Sequence, residues 1–134
     1  TAIKETRPSV RVVGVEPALT PKYFHSRINK ERTSLPLKNT IADGLRISVP
    51  GQNPYPIIER YVDEIVLVKD EHIIAGMRML AKDAKLIAEP AASIGIGALL
   101  AGGLKVTPQE KVCVVLTGGN WDLCDLAKVF DGVN

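Results

Sequence analysis

Three short runs of nearly continuous β-branched and aliphatic residues constrain the fold more than any other feature of this sequence. They span residues 10–15, 65–68 and 112–116. Strands buried on both faces of a parallel sheet have this composition, whereas strands with one solvated face alternate apolar and polar residues. Helical patterns lie between the runs and provide the crossovers that parallel strands require. The sequence therefore predicts an α/β fold in three layers, with a mostly parallel sheet and helices on both faces.

The segments between these runs carry helix start signals. We expect helices over residues 21–29, shortly after 54, from 70 to about 84, over 89–101 and from about 122. Thr20 and Asp70 are the expected N-caps of two of them. The 89–101 helix is rich in Gly and Ala, which predicts a close approach to the sheet. Residues 30–53 form a long irregular stretch, and connections of that length are often functional.

Size and composition suggest a single domain. The three predicted strands suggest that its sheet is part of a larger one. The 134 residues suffice for a hydrophobic core, but three strands would leave both sheet edges unpaired beside very apolar side chains. No apolar stretch approaches the roughly 20 residues that span a bilayer, so we expect no membrane partner. The first seven residues do not resemble a secretory signal, and two Cys are too few for a disulfide framework. We therefore expect the cytoplasm.

Charge does not predict a nucleic-acid partner. Residues 1–38 hold eight Lys and Arg against three acids, and residues 39–134 hold nine against twelve. The basic residues of the stretch 21–36 are expected on a solvated helix, because the adjacent Tyr23 and Phe24 form no stacking platform. His25 and His72 have no second ligand at metal-binding spacing, so no metal site is predicted.

In open α/β sheets, ligands bind beyond the carboxyl ends of the strands. This rule selects Glu16-Pro17, Lys69-Asp70 and the loop Thr117-Gly118-Gly119-Asn120. A hydroxyl, two glycines and an amide before a helix start allow a backbone to approach a ligand closely. The same residues also suit a tight strand-to-helix turn, and spacing alone does not separate these alternatives. Cys113, inside the third run, is expected to be a buried structural thiol.

Five motifs resemble one enzyme family. In chain order they are Val13–Pro17, Thr40–Gly44, Pro56–Ile58 with Val62–Val68, Leu86–Ala92, and Val114–Asn120. In order and spacing they are similar to the threonine/serine dehydratases and serine racemases, which are pyridoxal-phosphate-dependent enzymes of the tryptophan-synthase β-like fold (fold type II). The resemblance covers nearly the whole chain. It implies that residues 1–134 are the C-terminal part of the catalytic domain, an incomplete large domain.

The resemblance also implies cofactor-binding roles. Thr117 corresponds to the residue that hydrogen-bonds the pyridine nitrogen, and Gly118 and Gly119 would let the backbone pass the ring edge. Ala42-Asp43-Gly44 looks like the segment beside the ring and substrate. Glu89 matches an acidic position near the ring, although a helix N-cap before a proline is an equal alternative.

Two elements of the family pattern are absent, and both lie N-terminal to this region in the family. One is the Schiff-base lysine in its Ser-x-Lys-x-Arg-Gly context, and the other is the glycine-rich phosphate loop. No catalytic residue is therefore expected within this chain. Several members bind a divalent ion through a Glu and an Asp six residues later; here Glu16 is kept but Lys22 replaces the Asp, so we expect no metal.

The function expected from the resemblance is that of a segment of an L-threonine or L-serine dehydratase, an ammonia-lyase that forms a 2-oxo acid and ammonia. The complete enzyme would use pyridoxal phosphate and a small amino-acid substrate, and would be a homo-oligomer. This chain alone is expected to be inactive. Two alternatives remain: a serine racemase or hydroxyaspartate dehydratase of the same family, and a non-catalytic module that binds a small molecule or a partner chain.

Overall fold

The computed structural model describes residues 1–131, so the last three residues of the predicted domain lie outside the described part. Its elements are α1 (Ala2–Thr6), β1 (Val13–Pro17), α2 (Lys22–Asn29), α3 (Pro54–Tyr61), β2 (Glu64–Val68), α4 (Asp70–Met79), α5 (Pro90–Leu100) and α6 (Leu123–Phe130). One 3-10 turn lies at Asp43–Leu45, and α4 continues into a π-helical turn at Leu80–Ala84. The predicted helices are confirmed, and α1 was not predicted.

The two strands pair in parallel and have helices on both faces. Val15 lies opposite Val66, and side chains of paired residues share a face. On one face, Val15 packs against the core that includes Ile94 of α5. On the other face, Gly14 lies against Val62, which directly follows α3. The predicted α/β fold with a parallel sheet is therefore confirmed.

The prediction of a third strand over residues 112–116 is wrong. The sheet has two strands, and the 112–116 segment has no regular secondary structure and no ladder partner within the described residues. Val115 is 74% exposed, and Cys113 is exposed as well, which also contradicts its predicted burial. An apolar run forms a strand only where a neighbour pairs with its backbone amides and carbonyls, and residues 1–131 place no such neighbour beside this run.

The core lies where α4 and α5 pack on the sheet. It consists of Ala42, Val68, Ile73, Ile94 and Ala98, each at most 4% exposed. A Cβ added at Gly97 of α5 would lie 2.7 Å from the backbone oxygen of His72 in α4. The small residues of α5 therefore allow a close approach, but its tightest backbone contacts are with α4 rather than with the sheet as predicted.

Both predicted N-caps are wrong. Helix α2 begins at Lys22, and the amides of Tyr23 and Phe24 donate to the two carboxylate oxygens of Glu16 at 3.0 and 2.9 Å. The strand end therefore caps this helix in place of Thr20. Asp70 is the first residue of α4 rather than its cap.

Within residues 1–131, no helix is both long and apolar enough to cross a membrane.

Candidate functional site

The carboxyl end of β2 holds the irregular segment that precedes the 3-10 turn. Asp70 follows this strand, and its Oδ1 accepts a hydrogen bond from Thr40 Oγ1 at 2.6 Å. Its Oδ2 accepts from the amide of Ile41 at 2.9 Å. The next residue, Ala42, is completely buried in the core. This predicted site residue is therefore fixed relative to the sheet, and Asp43 and Gly44 extend from it.

The end of β1 holds the same turn from the other side. Lys22 is only 6% exposed, and its Nζ donates to the carbonyl of Leu45 at 3.2 Å. The same ammonium lies 3.6 Å from Oε1 of the buried Glu16. The prediction of a solvated Lys22 is therefore wrong, because a buried carboxylate six residues earlier gives it a partner. Residues 1–131 contain no group of three or more His, Cys, Asp or Glu side chains that could hold a metal ion.

The turn borders the beginning of α5. A Cβ added at Gly44 would lie 3.5 Å from the Cβ of Ala91, which is ordinary van der Waals contact. Asp43 is exposed, and its Oδ1 accepts from the amide of Gly44 at 2.8 Å. The predicted segment Ala42-Asp43-Gly44 therefore lies beside the first turn of this helix.

The glycine loop borders the same helix end. The amide of Glu89 donates to the carbonyl of Gly118 at 3.1 Å. A Cβ at Gly118 would lie 3.0 Å from the nearer carboxylate oxygen of Glu89, and one at Gly119 would lie 2.8 Å from the carbonyl oxygen of Ile87. Gly119 is therefore required by a backbone contact, whereas the contact of Gly118 is with the end of a flexible side chain. Thr117, directly before them, is exposed.

The alternative interpretation of Glu89 as the helix N-cap before Pro90 is confirmed for its position. Glu89 occupies the N-cap position of α5, but its side chain makes no capping hydrogen bond. The carboxylate instead lies against Gly118. The structure thus places Gly44 beside Ala91 and Gly118 beside Glu89. Ala91 and Glu89 are two residues apart at one end of α5.

The family assignment follows from sequence comparison. Residues 1–118 match the family model described as pyridoxal-phosphate dependent enzyme. The chain belongs to this family. An L-threonine ammonia-lyase from Geobacter sulfurreducens is 38% identical over 131 residues, which are 98% of this chain and 32% of that protein. A serine racemase from Arabidopsis thaliana is 35% identical over 129 residues, which cover 93% of this chain and 39% of the relative.

Solved structures of the same family confirm the fold. A threonine deaminase from T.th. has a TM-score of 0.85 at 32% identity, and the match covers 91% of this chain and 43% of that one. Maize serine racemase has a TM-score of 0.86 at 32% identity, with coverage of 95% and 40%. The chain thus spans about a third to two-fifths of the length of the relatives it matches. The predicted family resemblance is confirmed.

The described residues fit one side of a pyridoxal phosphate site. The backbone at Gly44 lies beside Ala91 and the backbone at Gly118 lies beside Glu89, so both glycines border the start of α5 and neither adds a side chain there. Thr117 adds a hydroxyl that can hydrogen-bond a ring nitrogen. The buried Lys22 ammonium already has the Glu16 carboxylate and the Leu45 carbonyl as partners. The fit is therefore to the ring, and it includes no lysine for covalent attachment among residues 1–131.

Proposed function

We propose that residues 1–134 are the C-terminal part of the catalytic domain of a pyridoxal-phosphate-dependent L-threonine/L-serine dehydratase. The main support is that two segments of the family pattern border the N-terminal end of α5, one at Gly44 beside Ala91 and one at Gly118 beside Glu89. Similarity to an L-threonine ammonia-lyase supports the same reaction class. The chain alone is inactive under this proposal, because it contains no Schiff-base lysine in the family context.

Each site residue has a role in this proposal. Thr117 hydrogen-bonds the pyridine nitrogen, and its neutral hydroxyl leaves that nitrogen largely unprotonated. Gly118 and Gly119 bring the backbone close to the ring edge, and Glu89 holds this loop through its backbone amide, which donates to the Gly118 carbonyl. The turn Ala42-Asp43-Gly44 lies beside the ring and the substrate. These residues bind and orient the cofactor and the substrate rather than carry out proton transfer.

The reaction that this environment favours is the loss of a β-hydroxyl group. The cofactor, when bound, withdraws electrons from the substrate α-carbon. A ring nitrogen without a proton is a weaker electron sink, which suits a reaction whose hydroxide leaves soon after the α-proton is removed. The net products from L-threonine are 2-oxobutanoate and ammonia, and those from L-serine are pyruvate and ammonia. The complete enzyme is proposed to be a cytoplasmic homo-oligomer without nucleic-acid or membrane partners.

A serine racemase is the second candidate, because the Arabidopsis thaliana and maize racemases are about as similar to the chain as the threonine enzymes. A hydroxyaspartate dehydratase of the family would share the same motifs. A non-catalytic module that binds a small molecule or a partner chain is the alternative outside enzymes. These candidates differ in their products, so an activity assay separates them.

The test replaces the matching segment of the Geobacter sulfurreducens relative by residues 1–131 of this chain. We expect the chimera to bind pyridoxal phosphate and to form 2-oxobutanoate from L-threonine, while the 134-residue chain alone forms no product. Pyruvate without 2-oxobutanoate favours a serine enzyme, and D-serine favours a racemase. A folded chimera that does not bind the cofactor supports the non-catalytic module, and turnover by the chain alone contradicts the proposal.

Thr117 offers a matched pair of variants within this chimera. Thr117→Val removes the hydroxyl at nearly constant volume, and Thr117→Ser keeps it. Loss of one hydrogen bond is expected to reduce turnover by about tenfold or less in Thr117→Val, with near-normal turnover in Thr117→Ser. Equal turnover in both variants would contradict the proposed role of the hydroxyl.

A further inference from the structure

Asp70 connects the segment before the 3-10 turn to the sheet through a chain of hydrogen bonds. Its Oδ1 accepts from Thr40 Oγ1 and its Oδ2 accepts from the amide of Ile41, at 2.6 and 2.9 Å. Thr40 Oγ1 in turn accepts from the amide of Ala42 at 3.3 Å. Three consecutive residues are thus bound, directly or through the hydroxyl, to one carboxylate that lies 30 positions after Thr40 in the sequence.

This use of the carboxylate is unusual for its position. An acid in the first turn of a helix commonly interacts with the free amides of its own helix. The N-cap position of α4 is held by Lys69, and no side chain makes a capping bond there. Both oxygens of Asp70 are instead occupied by the irregular segment. Asp70 therefore binds the segment of residues 40–42 rather than the amides of its own helix.

The residues on both sides of Asp70 in the sequence are fixed in the core. Val68, two residues earlier, is buried, and its carbonyl accepts from the amide of Ala18 at 2.8 Å. Ile73, three residues later, is completely buried in the core. A carboxylate between two such residues has a fixed place relative to the end of the sheet. The segment that it binds leads directly into Asp43-Gly44, beside α5.

We propose that Asp70 is a positioning residue that places the Ala42-Asp43-Gly44 turn relative to the carboxyl end of β2. Asp70 does not touch the substrate in this proposal; it acts through Thr40 and Ile41. Because the turn is the segment proposed to lie beside the substrate, this inference rests on the proposed function. A displaced turn is then expected to weaken substrate binding more than it slows the chemical step.

The first test measures amide hydrogen exchange in the purified 134-residue chain, without cofactor. Asp70→Asn turns one of the two acceptor oxygens into an NH2 group that only donates, so Thr40 and Ile41 no longer each have a separate acceptor oxygen. We expect exchange at Ile41 and Ala42 to become at least about tenfold faster, equivalent to the loss of one hydrogen bond. The matched control is Glu71→Gln, which removes the same charge from a side chain that is 67% exposed, and it is expected to leave these amides unchanged.

Thr40 provides a second pair of variants. Thr40→Val removes the hydroxyl between Asp70 and Ala42, whereas Thr40→Ser keeps it. We expect faster exchange at Ala42 in Thr40→Val and near-normal exchange in Thr40→Ser. Unchanged exchange in both Asp70→Asn and Thr40→Val overturns the inference. A uniform increase that extends through α4 and α5 also overturns it, because it reports general loss of stability.

The second test uses the chimera with the Geobacter sulfurreducens enzyme. Asp70→Asn is expected to raise KM for the amino acid about tenfold and to change kcat less than about twofold, whereas Glu71→Gln changes neither. An unchanged KM, or a fall in kcat alone, overturns the positioning role. An inactive chimera with the native Asp70 contradicts the proposed function instead, and the exchange experiment then still decides whether Asp70 holds the segment.

Discussion

Helix α5 contacts two regions of the molecule in very different ways. Against α4 it makes backbone contact, since a Cβ at Gly97 would lie 2.7 Å from the His72 oxygen. Against the segment of residues 105–122, which we call the extended segment, a Cβ at Gly95 would lie 2.6 Å from Cγ1 of Val114. The first neighbour is a fixed helix backbone, and the second is the tip of one side chain in a segment without strand partners among residues 1–131.

The difference shows that apolar composition does not by itself produce a packed element. Ile73 in α4 is completely buried, whereas Val115 in the extended segment is 74% exposed. Both lie in apolar sequence, but α4 packs along α5, whereas Val115 belongs to a run that pairs with no strand among residues 1–131. The two regions should therefore respond differently to the same kinds of substitution.

The largest expected difference concerns apolar side chains. Ile73→Ala should lower the free energy of unfolding by about 2–5 kcal/mol, because it leaves a cavity in the core. Val115→Ala should change it by less than about 0.5 kcal/mol, because the side chain is mostly in water. Urea unfolding followed by circular dichroism measures both values. Equal losses would contradict the comparison and would mean that the extended segment is packed in solution.

A smaller difference is expected for two glycines of the same helix. Gly97→Ala should lower the free energy of unfolding by about 1–3 kcal/mol, because the added methyl meets the fixed backbone of α4. Gly95→Ala should be neutral or stabilising by up to about 1 kcal/mol, because Val114 can move and alanine is the better helix former. The same urea experiment measures both. A loss in Gly95→Ala as large as that in Gly97→Ala would show that the extended segment is fixed against α5.

The sequence predicted those elements whose signals are local. Pro54 and Pro90 occupy first-turn positions of α3 and α5, where proline is preorganised for a helix, and both helices lie where expected. Strand β2 begins one residue before its predicted start. The run 112–116 was predicted wrongly because a strand also requires a neighbour, and composition carries no information about whether that neighbour is beside it.

The candidate site was predictable only in part for the same reason. The strand-end rule selected Glu16 and Asp70, which both hold surrounding backbone, but it did not identify their partners. Lys22 was expected in solvent because a charge on a helix is usually exposed, and only the fold shows that it lies beside Glu16. Gly118 was selected by the same rule and by the family resemblance, and its contact with Glu89 depends on tertiary structure.

The smallest expected effect concerns the end of the extended segment, where α6 begins. The Asp122 carboxylate accepts from the amide of Cys124 at 2.7 Å, and this hydrogen bond holds the pKa of Asp122 below its ordinary value of 3.8. Because the pKa is lower in the folded state, the capping contribution is complete above the ordinary value and is lost as the pH falls through the folded one.

We therefore expect the first turn of α6 to loosen in strong acid, with little effect on the α4–α5 core. The measurement is the amide chemical shift of Cys124 from about pH 6 to about pH 2, compared with that of a core amide such as Ile94. Asp122→Asn keeps a capping oxygen without a titrating group, so its Cys124 shift should not follow a carboxylate titration. A simultaneous acid transition at both amides would mean that α6 and the core unfold as one unit, and the distinction between the packed region and the extended segment would then fail.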